Sequence, residues 1–187
     1  NFNQPINNLP TKLKYLTFGR KFNQEVEYLS NSLIELTFGS YFNKDINMLP
    51  NSITHLTLGW GFIKSINMLP NSITHLTIDD KFNKLINNLP TQLKHLTFTY
   101  NSSFNQPVNN LPNSLNGLTF GWNFNQPVDN LPSNLTHLTF GVLFNLTVDN
   151  LPNSLTNLSF TDVFNQSVDN LPNQLIHLKL SRQFNKP

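Results

Sequence analysis

The sequence predicts a mainly β, parallel solenoid of nine repeats, each about 20 residues long, with one strand per repeat on the concave face. Phenylalanine recurs at positions 2, 22, 42, 62, 82, 104, 124, 144, 164 and 184, with every interval 20 residues except one of 22. Within each unit the apolar residues hold fixed places, and the last of them alternate with polar residues at the period of a strand. The chain has no alanine and 12 prolines, so long helices are not expected and the return segments should be extended or turn-like.

The repeats begin near Phe2, Phe22, Phe42, Phe62, Phe82, Phe104, Phe124, Phe144 and Phe164, and a tenth is begun at Phe184. The 187 residues form a single repeat domain, which reads as a fragment of a longer protein. The unit opening at Phe124 places its apolar residues at Phe124, Val128, Leu131, Leu135, Leu138 and Phe140. Leu135-x-x-Leu138-x-Phe140 has the L-x-x-L-x-L form of a leucine-rich repeat. In it Leu138 and Phe140 point inward, while His137, Thr139 and Gly141 are expected to point outward.

A lone strand of five residues cannot bury its apolar face. Nine strands stacked about 4.8 Å apart make a sheet about 40 Å long over one core. Pro127 and Pro132 lie in the return segment and exclude a helix there. A closed parallel β-solenoid, with a second strand around Asn125 to Val128, fits the same period.

Asparagine follows the phenylalanine at Asn3, Asn23, Asn43, Asn83, Asn105, Asn125, Asn145, Asn165 and Asn185, and Ile63 interrupts the series. A stacked amide in a buried turn can bond the backbone of its own coil and of the next, which predicts a structural asparagine ladder. The five N-x-Ser/Thr sequons, at Asn101, Asn134, Asn145, Asn157 and Asn165, are what so asparagine-rich a chain holds by accident.

The repeat wording F-N-x-P-I-x-x-L-P-x-S-L-x-x-L-x-F resembles that of FNIP-repeat proteins, most closely at Phe2-Asn3-Gln4-Pro5-Ile6 and Phe104-Asn105-Gln106-Pro107-Val108. The resemblance covers essentially the whole chain. Glu25, Asp45, Ser65, Leu85, Thr147 and Ser167 depart from it in place of the first proline, and Ser30 in place of the second. Members of that family occur in social amoebae and in giant viruses of amoebae. Viral members often carry an F-box ahead of the repeats. The resemblance therefore implies the substrate-recognition region of an F-box ubiquitin-ligase adaptor, with ligase machinery reached through an N-terminal domain absent from these residues. It also implies the cytoplasm, the host cytoplasm if the protein is viral.

Composition narrows the chemistry. Without cysteine there are no disulfides, thiolate metal sites or cysteine nucleophiles. A net charge of +2 with no basic run argues against a nucleic-acid partner, and no apolar stretch is long enough to span a membrane. No cofactor is expected.

The five histidines share one outward column: His55, His75, His95, His137 and His177. The consecutive His55, His75 and His95 are the candidates for a metal or pH-sensitive site, but a flat ladder does not converge tetrahedrally and no carboxylate completes a zinc set. A polar face forming part of an interface is the stronger reading. Beside them runs Thr17, Thr37, Thr57, Thr77, Thr97, Thr119, Thr139, Ser159 and Lys179, a regular His-x-Thr pattern that lacks the unlike groups of a catalytic site. Asp129, Asp149 and Asp169 form a column in the return segments, with Asn7 at the same place in the first unit; a solvated turn explains it better than calcium does.

The informative column is the one that varies: Arg20, Ser40, Trp60, Asp80, Tyr100, Trp122, Val142, Asp162 and Arg182, with Tyr41 one step on. A scaffold needs uniform residues, whereas a recognition strip can change from unit to unit, and aromatic residues dominate interfaces. Tyr41, Trp60, Tyr100 and Trp122, flanked by His55, His75, His95 and His137, are the candidate contacts for a protein partner. The alternative for the tryptophans is that they merely cover the edge of the core. The alternative for the whole chain is a structural role in which its ends associate end to end.

Overall fold

A computed structural model describes residues 2–6 and 8–186. Asn7 lies outside the described residues. The described chain forms one parallel sheet of nine strands in sequence order, β1 (Tyr15–Thr17), β2 (Glu35–Thr37), β3 (His55–Leu58), β4 (His75–Ile78), β5 (His95–Phe98), β6 (Gly117–Thr119), β7 (His137–Thr139), β8 (Asn157–Ser159) and β9 (His177–Lys179). Each strand has three or four residues, shorter than the five expected, because the chain turns away as soon as its inward leucine is seated.

The register is in phase with the repeat throughout. His55 pairs with His75 and His75 with His95, as Leu56 does with Leu76 and Leu76 with Leu96. The two extra residues between Phe82 and Phe104 leave this register intact, since His95 pairs with Gly117 and Leu96 with Leu118. The insertion is absorbed after the strand. Trp122 donates its N–H to the Tyr100 carbonyl at 2.7 Å, and Asn123 donates to that of Ser102 at 3.2 Å, so the two extra residues are taken up around Asn101.

No strand forms around Asn125 to Val128, so among the described residues the solenoid has one sheet and turn-like return segments, not the closed two-sheet form. The core is a single continuous cluster running from Ile6 to Phe164. In six of the units two phenylalanines clamp the turn after the strand: Phe120 stacks on Phe124 at 3.6 Å and Phe140 on Phe144 at 3.8 Å. Such ring pairs add roughly 0.5–1.5 kcal/mol beyond their burial.

Spacing between equivalent rings of successive coils gives the curvature. It is 4.2 and 4.6 Å along His55, His75 and His95 outside the sheet. It is 5.5 Å from Phe18 to Phe38 just beneath the sheet, and 6.1 Å from Phe22 to Phe42 on the far side of that layer. Coils that sit closer at one face than at the other must bend toward it. The outward, histidine-bearing face of the sheet is therefore the concave one.

The asparagines that follow the phenylalanines accept hydrogen bonds from the next coil. The N–H of Asn125 donates to the Asn105 Oδ1 at 2.9 Å, that of Asn145 to Asn125 at 3.1 Å and that of Asn165 to Asn145 at 2.9 Å. These residues are half-buried or exposed rather than buried as the sequence suggested, because the turn they occupy lies at the surface edge of the coil. A second set of coil-to-coil bonds comes from serine. Ser32, Ser72, Ser114 and Ser154 donate their hydroxyls to the carbonyls of Leu13, Ile53, Leu93 and Leu135 at 2.6–2.8 Å.

Candidate functional site

Two surfaces carry the candidate residues: the concave face of the sheet and the edge beyond the ends of the strands. On the face, the rings of His55, His75 and His95 lie nearly parallel, 4.2 and 4.6 Å apart. Threonine sets their orientation. The Thr54 and Thr74 hydroxyls lie 2.8 and 2.9 Å from Nδ1 of His55 and His75, and each also donates to a carbonyl of the preceding coil. With the hydroxyl proton committed to that carbonyl, Nδ1 is the donor, and Nε2 is left as an acceptor facing outward. His137 is held in the same way by Thr136 at 2.9 Å.

His95 has no such threonine, since Lys94 precedes it, and its Nδ1 would lie 2.6 Å from a Cβ placed on Gly117. The glycine leaves room for that ring. The His75 pKa is lowered, first by burial and then by the charges of His55 and His95. The stacked rings do not converge on a point, and among the described residues no group of three or more His, Cys, Asp or Glu is placed to hold a metal ion.

On the edge, Trp60 and Trp122 are 40% and 38% exposed, and Tyr41 and Tyr100 more so. They are anchored through their backbones. Gly61 donates to the Ser40 carbonyl at 2.8 Å, Lys81 to that of Trp60 at 3.2 Å and Leu143 to that of Trp122 at 3.0 Å. Tyr100 and Trp122 meet edge to face at 5.5 Å. The Lys81 ammonium sits 3.7 Å from the centre of the Trp60 ring, and the Arg20 guanidinium 5.3 Å from that of Tyr41. Arg20, Ser40, Tyr41, Trp60 and Asp79 line a cleft of about 510 Å³.

Asp79 and Asp80 close this stretch. The Thr99 hydroxyl donates to Asp79 at 2.5 Å and to Asp80 at 3.2 Å. The Asp80 carboxyl is raised above its usual range, chiefly by burial and then by the bond to and charge of Asp79, against a lowering by Thr99. Val142, in the same column, is buried. The varying strip is thus exposed at its aromatic members and buried at Val142.

Gly141 also turns inward, contrary to the expectation that it faces out, because the chain leaves the strand there and packs against Gly121. Asp129 and Asp149 each accept a hydrogen bond from the asparagine amide of the next unit, Asn150 and Asn170, at 3.0 and 3.1 Å. Sequence reasoning missed the parts played by Asp79, Lys81 and the threonines before the histidines. The recurring Thr-His pair at 54–55, 74–75 and 136–137 is the signal that could have found the last of these.

An in-phase parallel sheet, one strand per unit, over a leucine and phenylalanine core, defines a leucine-rich-repeat-like solenoid. The FNIP-repeat profile matches residues 2–28, 25–61, 62–101, 100–143 and 127–162, and the chain belongs to the FNIP-repeat family. It is similar to the crystal structure of CroV588, a giant-virus protein described as a novel circular LRR protein structure, at 45% identity and a TM-score of 0.80. That match covers 99% of this chain and 33% of the other, so this chain spans about a third of that protein's length. Comparison with curated proteins finds no match. No helix of the described residues is long and apolar enough to cross a membrane.

Proposed function

We propose that the chain is a non-catalytic protein-interaction module whose partner docks along the edge strip of Tyr41, Trp60, Tyr100 and Trp122, with His55, His75, His95 and His137 on the adjoining concave face. One observation carries this reading. Both tryptophans of the chain stand in a column that varies from unit to unit, partly exposed, on a backbone pinned coil to coil. A rigid aromatic anchor loses little entropy on binding, and such residues supply most of the energy of typical interfaces.

Replacing Trp60 or Trp122 by alanine should cost about 2 kcal/mol of binding, roughly a 30-fold loss in affinity. The measurement is titration of a captured partner against the wild type, the two variants and the control Asn47→Ala. Equal affinity in all four proteins would reject the strip as the contact.

Family membership extends the reading to the substrate-recognition region of an F-box ubiquitin-ligase adaptor, in which the bound protein is the one to be ubiquitylated. Co-purification of cullin-ligase components with the full-length protein tests that extension. A second reading is a structural role by end-to-end association, since parallel sheets can stack through unpaired edge strands. Light scattering distinguishes it, since assembly requires a mass that grows with concentration in the absence of any partner.

A further inference from the structure

The turn edge that carries the asparagines departs from its pattern in several units, but at one place three separate substitutions meet. The run of amide bonds breaks at Ile63. That residue still donates its N–H to the Asn43 Oδ1 at 3.1 Å, but its own side chain accepts nothing. The N–H of Asn83 therefore has no hydrogen-bond acceptor among the described residues, whereas Asn105 resumes the run by donating to Asn83 at 3.0 Å.

The second change is at the next position along the chain. There Gln106, Gln126 and Gln166 donate to the preceding asparagine at 3.0–3.1 Å, but the third to fifth units carry Lys44, Lys64 and Lys84 instead. Lys44 reaches Glu25 of the preceding unit at 3.2 Å and Lys64 reaches Asp45 at 3.9 Å. For Lys84 the corresponding residue is Ser65, and Lys84 forms no ion pair among the described residues.

Third, the proline of the motif is replaced by Leu85, which is 50% exposed beside an Ile63 that is 45% exposed. Ile63, Asn83, Lys84 and Leu85 are among the residues lining one cleft of about 580 Å³, which shares none with the cleft at Trp60.

An asparagine at position 63 would complete the amide run and a glutamate at 65 would complete the ion pairs. The chain has neither, and it places two aliphatic side chains in solvent at the same spot. We propose that this cleft is a docking site for an extended segment of a partner protein that carries an aliphatic side chain next to a carboxylate. The aliphatic group packs between Ile63 and Leu85, removing apolar surface from water. The carboxylate meets the free ammonium of Lys84, and the N–H of Asn83 donates to an oxygen of the partner. Charge decides the class of occupant, since Lys84 is an unpaired cation, Asp45 is already paired with Lys64, and no carboxylate lines the cleft. The site stands independently of the tryptophan edge.

The probe is an N-acetylated, C-amidated pentapeptide with a leucine between two glutamates, titrated into nitrogen-15-labelled protein. The expected result is a saturable shift of the amides of Ile63, Asn83, Lys84 and Leu85, at least tenfold weaker for peptides with lysine in place of glutamate or serine in place of leucine. Lys84→Glu should lower the affinity at least tenfold. Ile63→Asn is the sharper variant: it should raise the thermal midpoint by supplying the missing acceptor and weaken the peptide at least tenfold. Both substitutions are at the surface, and the amide spectrum itself reports whether the fold is kept. No saturable shift at these amides, or equal shifts from the lysine peptide, would overturn the proposal. So would shifts that follow protein concentration without peptide, which would assign the cleft to a second copy of the chain.

Discussion

His75 stands between two residues of its own kind. Its ring is stacked 4.2 Å from His55 and 4.6 Å from His95, with the Thr74 hydroxyl on its Nδ1. Burial and the two neighbouring charges lower its pKa below the ordinary histidine value of 6.5. The folded state therefore takes up a proton at lower pH than the unfolded state does. The stability tied to the neutral ring is fully present above pH 6.5 and is lost as the pH falls below that value toward the folded pKa. The thermal midpoint should fall as the pH is lowered from about 7.5 to about 5, and His75→Gln should make that fall shallower. A pH slope unchanged by the substitution would show that His75 is not its source. Asp80 carries the opposite sign: its raised pKa contributes stability that is present below pH 3.8 and is lost as the pH rises above that value through the folded pKa.

At the scale of the element, the turn after each strand matters more than the strand. The column after the inward apolar residue that follows the strand's threonine is glycine at 19, 39, 59, 121 and 141, with none at positive φ, so room rather than backbone freedom explains it. A Cβ on Gly39 would stand 2.5 Å from the Gly19 carbonyl oxygen, and one on Gly141 would press on the carbonyl of Gly121, whereas one on Gly19 would meet nothing within 4 Å. Gly141→Ala should therefore cost about 1–3 kcal/mol, as overpacking does, while Gly19→Ala should be neutral or slightly stabilising. Urea unfolding of the two variants checks it, and equal midpoints would refute the packing account.

The fourth and fifth units escape this constraint by adding a rung. Asp79 and Thr99 donate to the carbonyls of Leu58 and Ile78, and the strands there have four residues. The leucines and phenylalanines were legible in the sequence because their period alone decides their side. The inward turn of Gly141 was not, because it depends on where the preceding coil's carbonyl points. For the same reason the sequence marked Trp60 but not Lys81, whose place over the ring is set by the packing of one coil on the next.

Across the whole molecule the repeat behaves as a unit of length. Every strand pairs in phase, the core is one cluster, and coil-to-coil bonds join positions 19–23 residues apart in sequence. Each unit touches only its neighbours, so stability is close to a sum of unit and interface terms. Excision of residues 124–143 joins Asn123 to Phe144, which takes the place of Phe124 after it, and brings Phe104 and Phe144 into adjacent coils. That shortened chain should fold with the same circular-dichroism signature and unfold cooperatively, at a lower midpoint. Its denaturant slope should fall by roughly one ninth, because the slope scales with the surface exposed on unfolding and one of nine strands has gone. Excision of residues 124–133 removes only half a unit, so Phe124, Val128 and Leu131 are lost while Leu135, Leu138 and Phe140 are kept without their turn. That chain should lose cooperative unfolding altogether. If the two deletions behaved alike, the period would be a pattern of sequence only, and register between coils would not be what holds the molecule together.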